Sequence, residues 1–212
     1  MARPREYLHR LTSAPAAAPA RSFALRALAI REFDAGRVSV PSERAKRRHL
    51  VELLRTGGHR VFIESGTYLG DTVAYVLPHV DEITSIEIDQ QLYDRARARF
   101  ADVESVTLIL GDGLDEVPAV VARLQRPPLV WLDGHASGGV TSHGTHLEPA
   151  LEILLRMRDA GMPPSTTIVI DDLRVFGRLE GYPALEQLLA TVLEAFPDAR
   201  LTAGLDSLVI ST

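Results

Sequence analysis

The chain has 212 residues, 46% of them hydrophobic and 24% charged, with a formal net charge of −5. This length and composition are typical of a soluble protein with one main domain, and the acidic balance argues against a nucleic-acid surface. No cysteine is present, which excludes disulfides and thiolate metal sites. No apolar stretch reaches the roughly 20 residues of a membrane span, so we expect no membrane partner and a cytoplasmic location.

Residues 1–40 are expected to form an appendage to a main domain at 41–212. The segment 13–20 is a low-complexity run of alanine and proline, and a short helix is possible at 22–33. The appendage is expected to pack on the main domain, to cover a ligand or to mediate contact with a second copy. A disordered tail is the alternative for residues 1–40. The sequence also leaves open whether the protein forms a homo-oligomer.

From residue 41 onward, helical patterns alternate with short apolar runs. Helices are predicted at 42–55, 69–77, 90–100, 114–124, from about Leu147 to Gly161, and at 182–196. Strands are predicted at 60–64, 83–88, 106–110, 129–132, 166–171, 199–203 and 206–211. Only Gly204-Leu205 separates the last two strands, which is too short for a crossover helix, so these should form an antiparallel hairpin.

The first five apolar runs each end, or nearly end, on acidic residues. These acids are Glu64, Glu87, Asp112, Asp133 and the pair Asp171-Asp172. β-Branched runs joined by helices indicate parallel strands, and ligands of such sheets bind outside the carboxyl ends of the strands. The acidic rim suits a ligand that carries positive charge, hydroxyl groups or a metal ion.

The segment 64–70, Glu-Ser-Gly-Thr-Tyr-Leu-Gly, lies at a strand-to-helix turn. Gly66 would permit close approach of a ligand to the backbone, and Gly70 would let the helix start near the sheet. The segment is not the G-x-G-x-x-G of a dinucleotide phosphate cradle. Its acid argues against a pyrophosphate and for a cationic ligand, although a purely structural turn is the plain alternative.

Two further acids could contact a nucleoside. Glu87 follows Gly66 by 21 residues, about where a carboxylate binds ribose hydroxyls in nucleotide-binding α/β folds. Asp112, followed by Gly113, could accept a hydrogen bond from the exocyclic amine of an adenine. An ordinary acid on the N-cap side of a helix is the plain alternative for Glu87, and turn chemistry alone is the alternative for Asp112.

Segments 64–70 and 85–89 resemble the cofactor half of class I S-adenosylmethionine-dependent methyltransferases. The resemblance is greatest to metal-dependent catechol-type O-methyltransferases, whose glycine turn also has an E-x-G-x-Y-x-G form. Segments 132–135 and 170–172 resemble that group's metal-ligand positions. The glycine- and histidine-rich loop at 134–146 resembles bacterial sugar O-methyltransferases of macrolide and aminocoumarin tailoring.

The resemblance covers residues 58–212 and has consequences for fold and site. It implies a Rossmann-like three-layer α/β sandwich with a seven-stranded, mostly parallel sheet in the order 3-2-1-4-5-7-6. It implies a site for S-adenosylmethionine formed by Glu64, Gly66, Thr67, Tyr68, Gly70, Glu87, Asp112 and Gly113. It also implies Asp133, Asp171 and Asp172 as ligands of Mg²⁺ or another divalent cation such as Mn²⁺.

The adjacent pair Asp171-Asp172 sets a geometric condition on this metal site. Neighbouring residues of an extended strand point to opposite faces. Both carboxylates can therefore reach one ion only if the strand breaks there, and Asp172 could instead cap the following segment. A bound ion would lower the pKa of a substrate hydroxyl, which gives Asp133 a catalytic role as its ligand.

The identity of the general base is a second open point. In the catechol-type group a lysine close behind the first aspartate is the base, but here that segment reads Gly-His-Ala-Ser, and Lys46 is the only lysine. His135 is therefore the best candidate, since the ordinary pKa of histidine lies near neutrality. His143 and His146 are expected to be solvated or gating residues of a loop that could act as a lid.

The favoured interpretation is a metal-assisted O-methyltransferase acting on a small hydroxylated metabolite. A cephalosporin-hydroxylase-like or other metal-dependent enzyme of the same fold is one alternative. A non-catalytic cofactor-binding domain is another. An NAD-linked oxidoreductase is the least favoured, because the phosphate-binding fingerprint is missing.

Overall fold

A computed structural model of the chain describes residues 40–133, 149–178 and 181–212. By its internal contacts the chain divides into residues 1–46 and residues 47–212. Of the first unit, only residues 40–46 are described, and they include the start of the first described helix. The architecture below is that of the second unit.

Every helix and strand predicted from residue 41 onward is present in the described residues, with ends that differ by a few residues. The short helix considered at 22–33 lies outside the described residues. The helices are α1 (Glu43–Gly57), α2 (Asp71–Val76), α3 (Gln90–Arg99), α4 (Gly113–Val121), α5 (Pro149–Ala160) and α6 (Leu185–Ala195). The strands are β1 (Val61–Ser65), β2 (Glu82–Glu87), β3 (Val106–Leu110), β4 (Pro128–Leu132), β5 (Thr167–Ile170), β6 (Arg200–Gly204) and β7 (Ser207–Ser211). None of these helices is long and apolar enough to cross a membrane.

The seven strands form one sheet in the order β3-β2-β1-β4-β5-β7-β6. Strands β1 to β5 are parallel, whereas β7 is antiparallel to both β5 and β6. The predicted fold class, strand order and terminal hairpin are therefore confirmed. The hairpin turn lies one residue later than predicted, at Leu205-Asp206, where both residues have positive φ as in the primed turns of two-residue hairpins.

Helices cover both faces of the sheet, because neighbouring strand residues point to opposite sides. On one face Ile63 belongs to a core with residues of α4, α5 and α6, namely Val117, Leu151, Leu154 and Leu188. On the other face Phe62 packs in a core with Leu50 and Leu54 of α1 and Val73 of α2. The amphipathic stripe predicted for α5 is thus buried at Leu151 and Leu154, while Leu147 lies outside the described residues.

A buried histidine joins the amino-terminal ends of three strands. His59 is only 3% exposed, its Nδ1 lies 3.1 Å from the carbonyl oxygen of Pro127, and its Nε2 lies 2.8 Å from Oγ1 of Thr167. A neutral ring with its proton on Nδ1 fits both contacts, donating to the carbonyl and accepting from the hydroxyl. Burial lowers the pKa of His59, so the folded protein favours this neutral ring.

We expect His59 to make the protein less stable in mild acid. Unfolded chains take up a proton at this ring below about pH 6.5, whereas the folded protein does so only at lower pH, so the free energy of unfolding falls as pH drops below that value. Urea unfolding between pH 7.5 and pH 5 should show a shallower pH dependence in His59→Gln. His79→Gln, at an exposed position, is the matched control for the change of a histidine to glutamine. Equal slopes in wild type and His59→Gln would contradict this role.

Candidate functional site

The parallel register brings residues that are distant in sequence to one edge of the sheet. Ser65 at the end of β1 pairs with Leu132 of β4, and Leu132 pairs with Ile170 of β5. The N–H of Asp171 donates to the carbonyl of Leu132 at 2.9 Å, which extends this alignment past the last strand residues. The acids that follow β4 and β5 therefore lie beside the glycine turn that follows β1.

The glycine turn after β1 is held by backbone bonds in a left-handed path. Gly66, Tyr68 and Gly70 have φ of 99°, 49° and 74°. The N–H groups of Gly66 and Thr67 both donate to the carbonyl of Ile86, at 2.9 and 3.3 Å. A Cβ at Gly70 would lie 2.7 Å from Cε2 of Phe100, so glycine is required there for contact between the start of α2 and the end of α3.

Glu87 fastens this turn to the end of β2. Its Oε2 accepts the backbone N–H of Tyr68 at 2.7 Å, and its Oε1 accepts the N–H of Asp89 at 3.0 Å. Glu87 is 6% exposed. Each carboxylate oxygen has a second lone pair, so these bonds leave capacity to accept ribose hydroxyls. The sequence pattern pointed to the ribose contact but not to this structural bond.

Asp112 and Gly113 form the junction between β3 and α4. Oδ1 of Asp112 accepts the N–H of Leu114 at 2.9 Å, so Asp112 caps the start of α4. A Cβ at Gly113 would collide with Oγ of Ser65. Glycine at this position therefore allows α4 to begin directly against the end of β1, which closes one side of the candidate site.

Glu64 is buried behind the glycine turn with one oxygen satisfied. It is 1% exposed, and its Oε1 accepts the hydroxyl of Ser85 at 2.7 Å. That hydroxyl lies 2.5 Å from Oγ1 of Thr67. Within the described part of the chain, Oε2 of Glu64 has no hydrogen-bond partner. The sequence predicts Glu64 at the acidic rim, but no local pattern indicates that only one of its two oxygens is hydrogen-bonded.

Burial raises the pKa of Glu64 to about 8. The bond from Ser85 lowers the pKa, and the negative charge of Asp133 raises it further. Arg47 and Glu87 have smaller and opposite effects. At neutral pH this carboxyl is therefore mainly protonated, and its coupling to both Asp133 and Glu87 reflects how close these acids lie to one another.

Three aspartates converge after β4 and β5. Carboxylate oxygens of Asp133, Asp171 and Asp172 lie within 4.8 Å of one another. Strand β5 ends at Ile170, and Asp172 has the left-handed backbone φ 55° and ψ 41°. The strand therefore breaks where the predicted metal site needs it to break. The side chain of Asp172 makes no capping bond to the following 3₁₀ turn, Leu173–Val175. The geometry thus lets both neighbouring aspartates face Asp133.

Arg174 and Asp206 support this turn, and neither residue is predicted from the sequence. Nη1 of Arg174 donates to Oδ1 of Asp172 at 2.5 Å and also to Oδ2 of Asp206. The N–H of Arg174 donates to Oδ1 of Asp206 at 2.9 Å, and the N–H of Leu173 donates to the carbonyl of Asp206 at 2.7 Å. No spacing rule connects positions 174 and 206, because the β6–β7 hairpin must first fold back.

The predicted base lies outside the described residues. His135, His143 and His146 all fall within 134–148, which the structure does not describe. The assignment of His135 as base and of this loop as a lid therefore stays a prediction.

Several solved structures are similar to this chain in fold. A methyltransferase from Geobacter sulfurreducens is 17% identical with a TM-score of 0.56, over 99% of this chain and 98% of that chain. The O-methyltransferase TomG from Streptomyces achromogenes, in complex with S-adenosylmethionine, is 17% identical with a TM-score of 0.55, over 89% and 88%. The N-methyltransferase NodS from Bradyrhizobium japonicum, in complex with S-adenosyl-L-homocysteine, is 16% identical with a TM-score of 0.55, over 82% and 87%.

The fold is that of the class I S-adenosylmethionine-dependent methyltransferases. Both the strand order and these likenesses agree on it. No protein-family model matches the sequence, and no curated protein does either. At such low identities the likeness shows the fold alone. The roles of the residues at the carboxyl ends of the strands depend on their own chemistry.

We expect Glu64 to reduce the stability of the ligand-free protein at alkaline pH. Its pKa is raised on folding, so its favourable contribution is complete below about pH 4.5 and is lost as pH rises through about 8. Glu64→Gln keeps an oxygen that can accept from Ser85 but cannot ionise. The free energy of unfolding of Glu64→Gln, minus that of wild type, should therefore grow by roughly 1 kcal/mol per pH unit between pH 5 and pH 8.

Urea unfolding of the two proteins at matched pH values measures this difference. Groups that titrate in both proteins cancel, so the difference isolates position 64. Glu104→Gln, at an exposed position, is the matched control for the change of a glutamate to glutamine. A difference that does not change with pH for Glu64→Gln would show that Glu64 is ionised in the folded protein at neutral pH.

Proposed function

We propose that this protein is an S-adenosylmethionine-dependent, divalent-metal-assisted O-methyltransferase that acts on a small hydroxylated metabolite. The observation that carries the proposal is the meeting of two acidic groups at one edge of the sheet. Glu64 and Glu87 lie around the glycine turn, and Asp133, Asp171 and Asp172 converge beside it. Methyltransferases of the same fold in complex with S-adenosylmethionine and S-adenosyl-L-homocysteine support the cofactor assignment.

The residues around the glycine turn fit the cofactor chemically. S-adenosylmethionine is a sulfonium cation with an adenosine and an amino-acid tail, and a carboxylate-rich site attracts a cation. Glu87 has lone pairs available for ribose hydroxyls, and Asp112 is half-buried at the end of the neighbouring strand. A cation near Oε2 of Glu64 would satisfy that oxygen and favour its ionised form. We propose the same eight cofactor-binding residues that the resemblance implies.

The three aspartates fit a hard divalent cation. Their donor set consists of carboxylate oxygens, which suit Mg²⁺ or Mn²⁺. When bound, such an ion would lower the pKa of an acceptor hydroxyl. Asp133 follows β4, which pairs with β1, so an acceptor held there would lie beside the glycine turn. The transferable methyl and the acceptor oxygen would then be positioned together, and His135 is the proposed acceptor of the hydroxyl proton.

Binding of S-adenosyl-L-homocysteine should depend on Glu87. We expect the ligand to raise the melting temperature, with a stabilisation of about 2.7 kcal/mol at 100 times its dissociation constant. Glu87→Gln removes the charge and one of the two acceptors, so calorimetry should show affinity at least about tenfold weaker. The matched control is Glu82→Gln at the other end of the same strand, which should bind as wild type does. Unchanged affinity in Glu87→Gln would show that the cofactor site is misassigned.

Methyl transfer should require a divalent cation held by Asp133. We expect EDTA to abolish transfer of a radioactive methyl group to a panel of catechols, sugars and polyketide-like alcohols, and Mg²⁺ to restore it. Asp133→Asn should lose the metal-stimulated rate while binding S-adenosyl-L-homocysteine within about threefold of wild type. Asp159→Asn, at an exposed position of α5, should keep both properties.

Three contrary outcomes have different meanings. Turnover that survives EDTA would remove the metal from the mechanism and leave the cofactor assignment intact. Transfer to amines alone would favour an N-methyltransferase, as NodS is. Cofactor binding lost together with activity in Asp133→Asn would mean that the two acidic groups form one site rather than two.

A further inference from the structure

We propose that Arg174 is an internal cation that competes with the metal ion for Asp172, and that Asp206 holds Arg174 so that it can release this carboxylate. The inference rests on the metal site of the proposed function. It assigns to Arg174 and Asp206 the control of metal affinity at that site.

A single guanidinium nitrogen joins two buried carboxylates. Nη1 of Arg174 donates to both Asp172 and Asp206, whose side chains are 7% and 6% exposed, while that of Arg174 is 32% exposed. Because both carboxylates are buried, water screens these charges less than it screens a surface pair, and the attraction between them is stronger. Asp172 is one of the three converging aspartates, so this cation lies directly against the candidate metal site.

Asp206 is attached to the same turn by its backbone as well as its side chain. Its carbonyl accepts the N–H of Leu173, and its Oδ1 accepts the N–H of Arg174. These bonds do not involve Asp172. If Asp172 turns to a metal ion, Asp206 still has Oδ2 for the guanidinium, so the positive charge of Arg174 stays paired. Asp206 therefore lowers the cost of separating Arg174 from Asp172.

The charge balance explains why the two cations should compete. Three carboxylates within 4.8 Å of one another repel, and a guanidinium bonded to one of them reduces that repulsion. A divalent ion in the same place supplies the same compensation. A metal ion and the guanidinium on the same carboxylate would repel each other. The ion would therefore bind more weakly while Arg174 stays bonded to Asp172.

Two single variants should therefore change metal affinity in opposite directions. Arg174→Met removes the competing charge at similar side-chain length, and we expect Mn²⁺ to bind about tenfold more tightly. Asp206→Asn leaves Arg174 with Asp172 as its charged partner, and we expect Mn²⁺ to bind about tenfold more weakly. Arg174→Lys keeps the charge and should lie close to wild type. If these residues only kept the turn folded, both Arg174→Met and Asp206→Asn would weaken binding.

Electron paramagnetic resonance of free Mn²⁺, with the full chain and without cofactor or acceptor, measures the dissociation constants. Arg126→Met is the matched control, because Arg126 also bridges two carboxylates, Asp81 and Glu82, both at 2.8 Å. These three side chains are exposed and lie at the amino-terminal ends of the strands, away from the three aspartates. Arg126→Met should leave Mn²⁺ affinity unchanged. Melting temperatures of all variants check that they are folded. If Asp206→Asn is not folded, the change in Mn²⁺ affinity of the Arg174 variants alone decides between the two explanations.

The outcomes separate this inference from the proposed function. Tighter binding in Arg174→Met supports the inference, and weaker or unchanged binding overturns it. If wild type binds no Mn²⁺ but Arg174→Met does, metal assistance in the native protein fails while the competition by Arg174 stands. If neither protein binds Mn²⁺, both proposals fall. Binding that survives Asp133→Asn in the Arg174→Met background would lie elsewhere and would also overturn the inference.

Discussion

The parallel sheet brings several carboxylates to one edge, where they must be held against mutual repulsion and lost hydration. Three different interactions do this. Glu87 accepts two backbone N–H groups, Glu64 stays largely protonated, and Asp172 bonds to Arg174. Burial and neighbouring groups decide each case. Backbone donors are available beside the glycine turn, a guanidinium reaches Asp172, and among the residues that the structure describes no donor reaches Oε2 of Glu64. The charge arrangement of the site is therefore decided residue by residue.

These local solutions depend on features far from the acids themselves. The left-handed backbone of Asp172 turns the chain at the end of β5, and the tip of the β6–β7 hairpin bonds to the residues that follow it. That hairpin can reach the turn because β7 is antiparallel to β5 and ends its pairing at Leu208, opposite Ile170. The antiparallel end of the sheet thus has a local purpose, because it places Asp206 beside Arg174.

Sequence patterns predicted the helices and strands because these depend on local residue spacing. They predicted the acidic edge because parallel strands that each end at an acid must bring those acids together. β-Branched runs marked the strands, and five of these runs ended at acids, which parallel strands must bring to one edge. The hairpin turn was one residue off because apolar spacing marks strands better than turn dihedrals. The contact of Gly113 with Ser65 and the link between Arg174 and Asp206 join distant positions, and no spacing rule connects such positions before the strands are ordered.

The two halves of the candidate site differ in how firmly they are set before any ligand arrives. Glu87 is held by backbone N–H groups, which can remain while its other lone pairs accept hydroxyls, so the proposed cofactor half is preorganised. Asp172 is held by a side-chain cation that occupies the same carboxylate a metal would use. Under the proposed function, cofactor binding at the glycine turn would add hydrogen bonds, whereas metal binding would have to replace the bond between Arg174 and Asp172. The metal affinity would then depend on the strength of that bond, and therefore on the charges near Arg174.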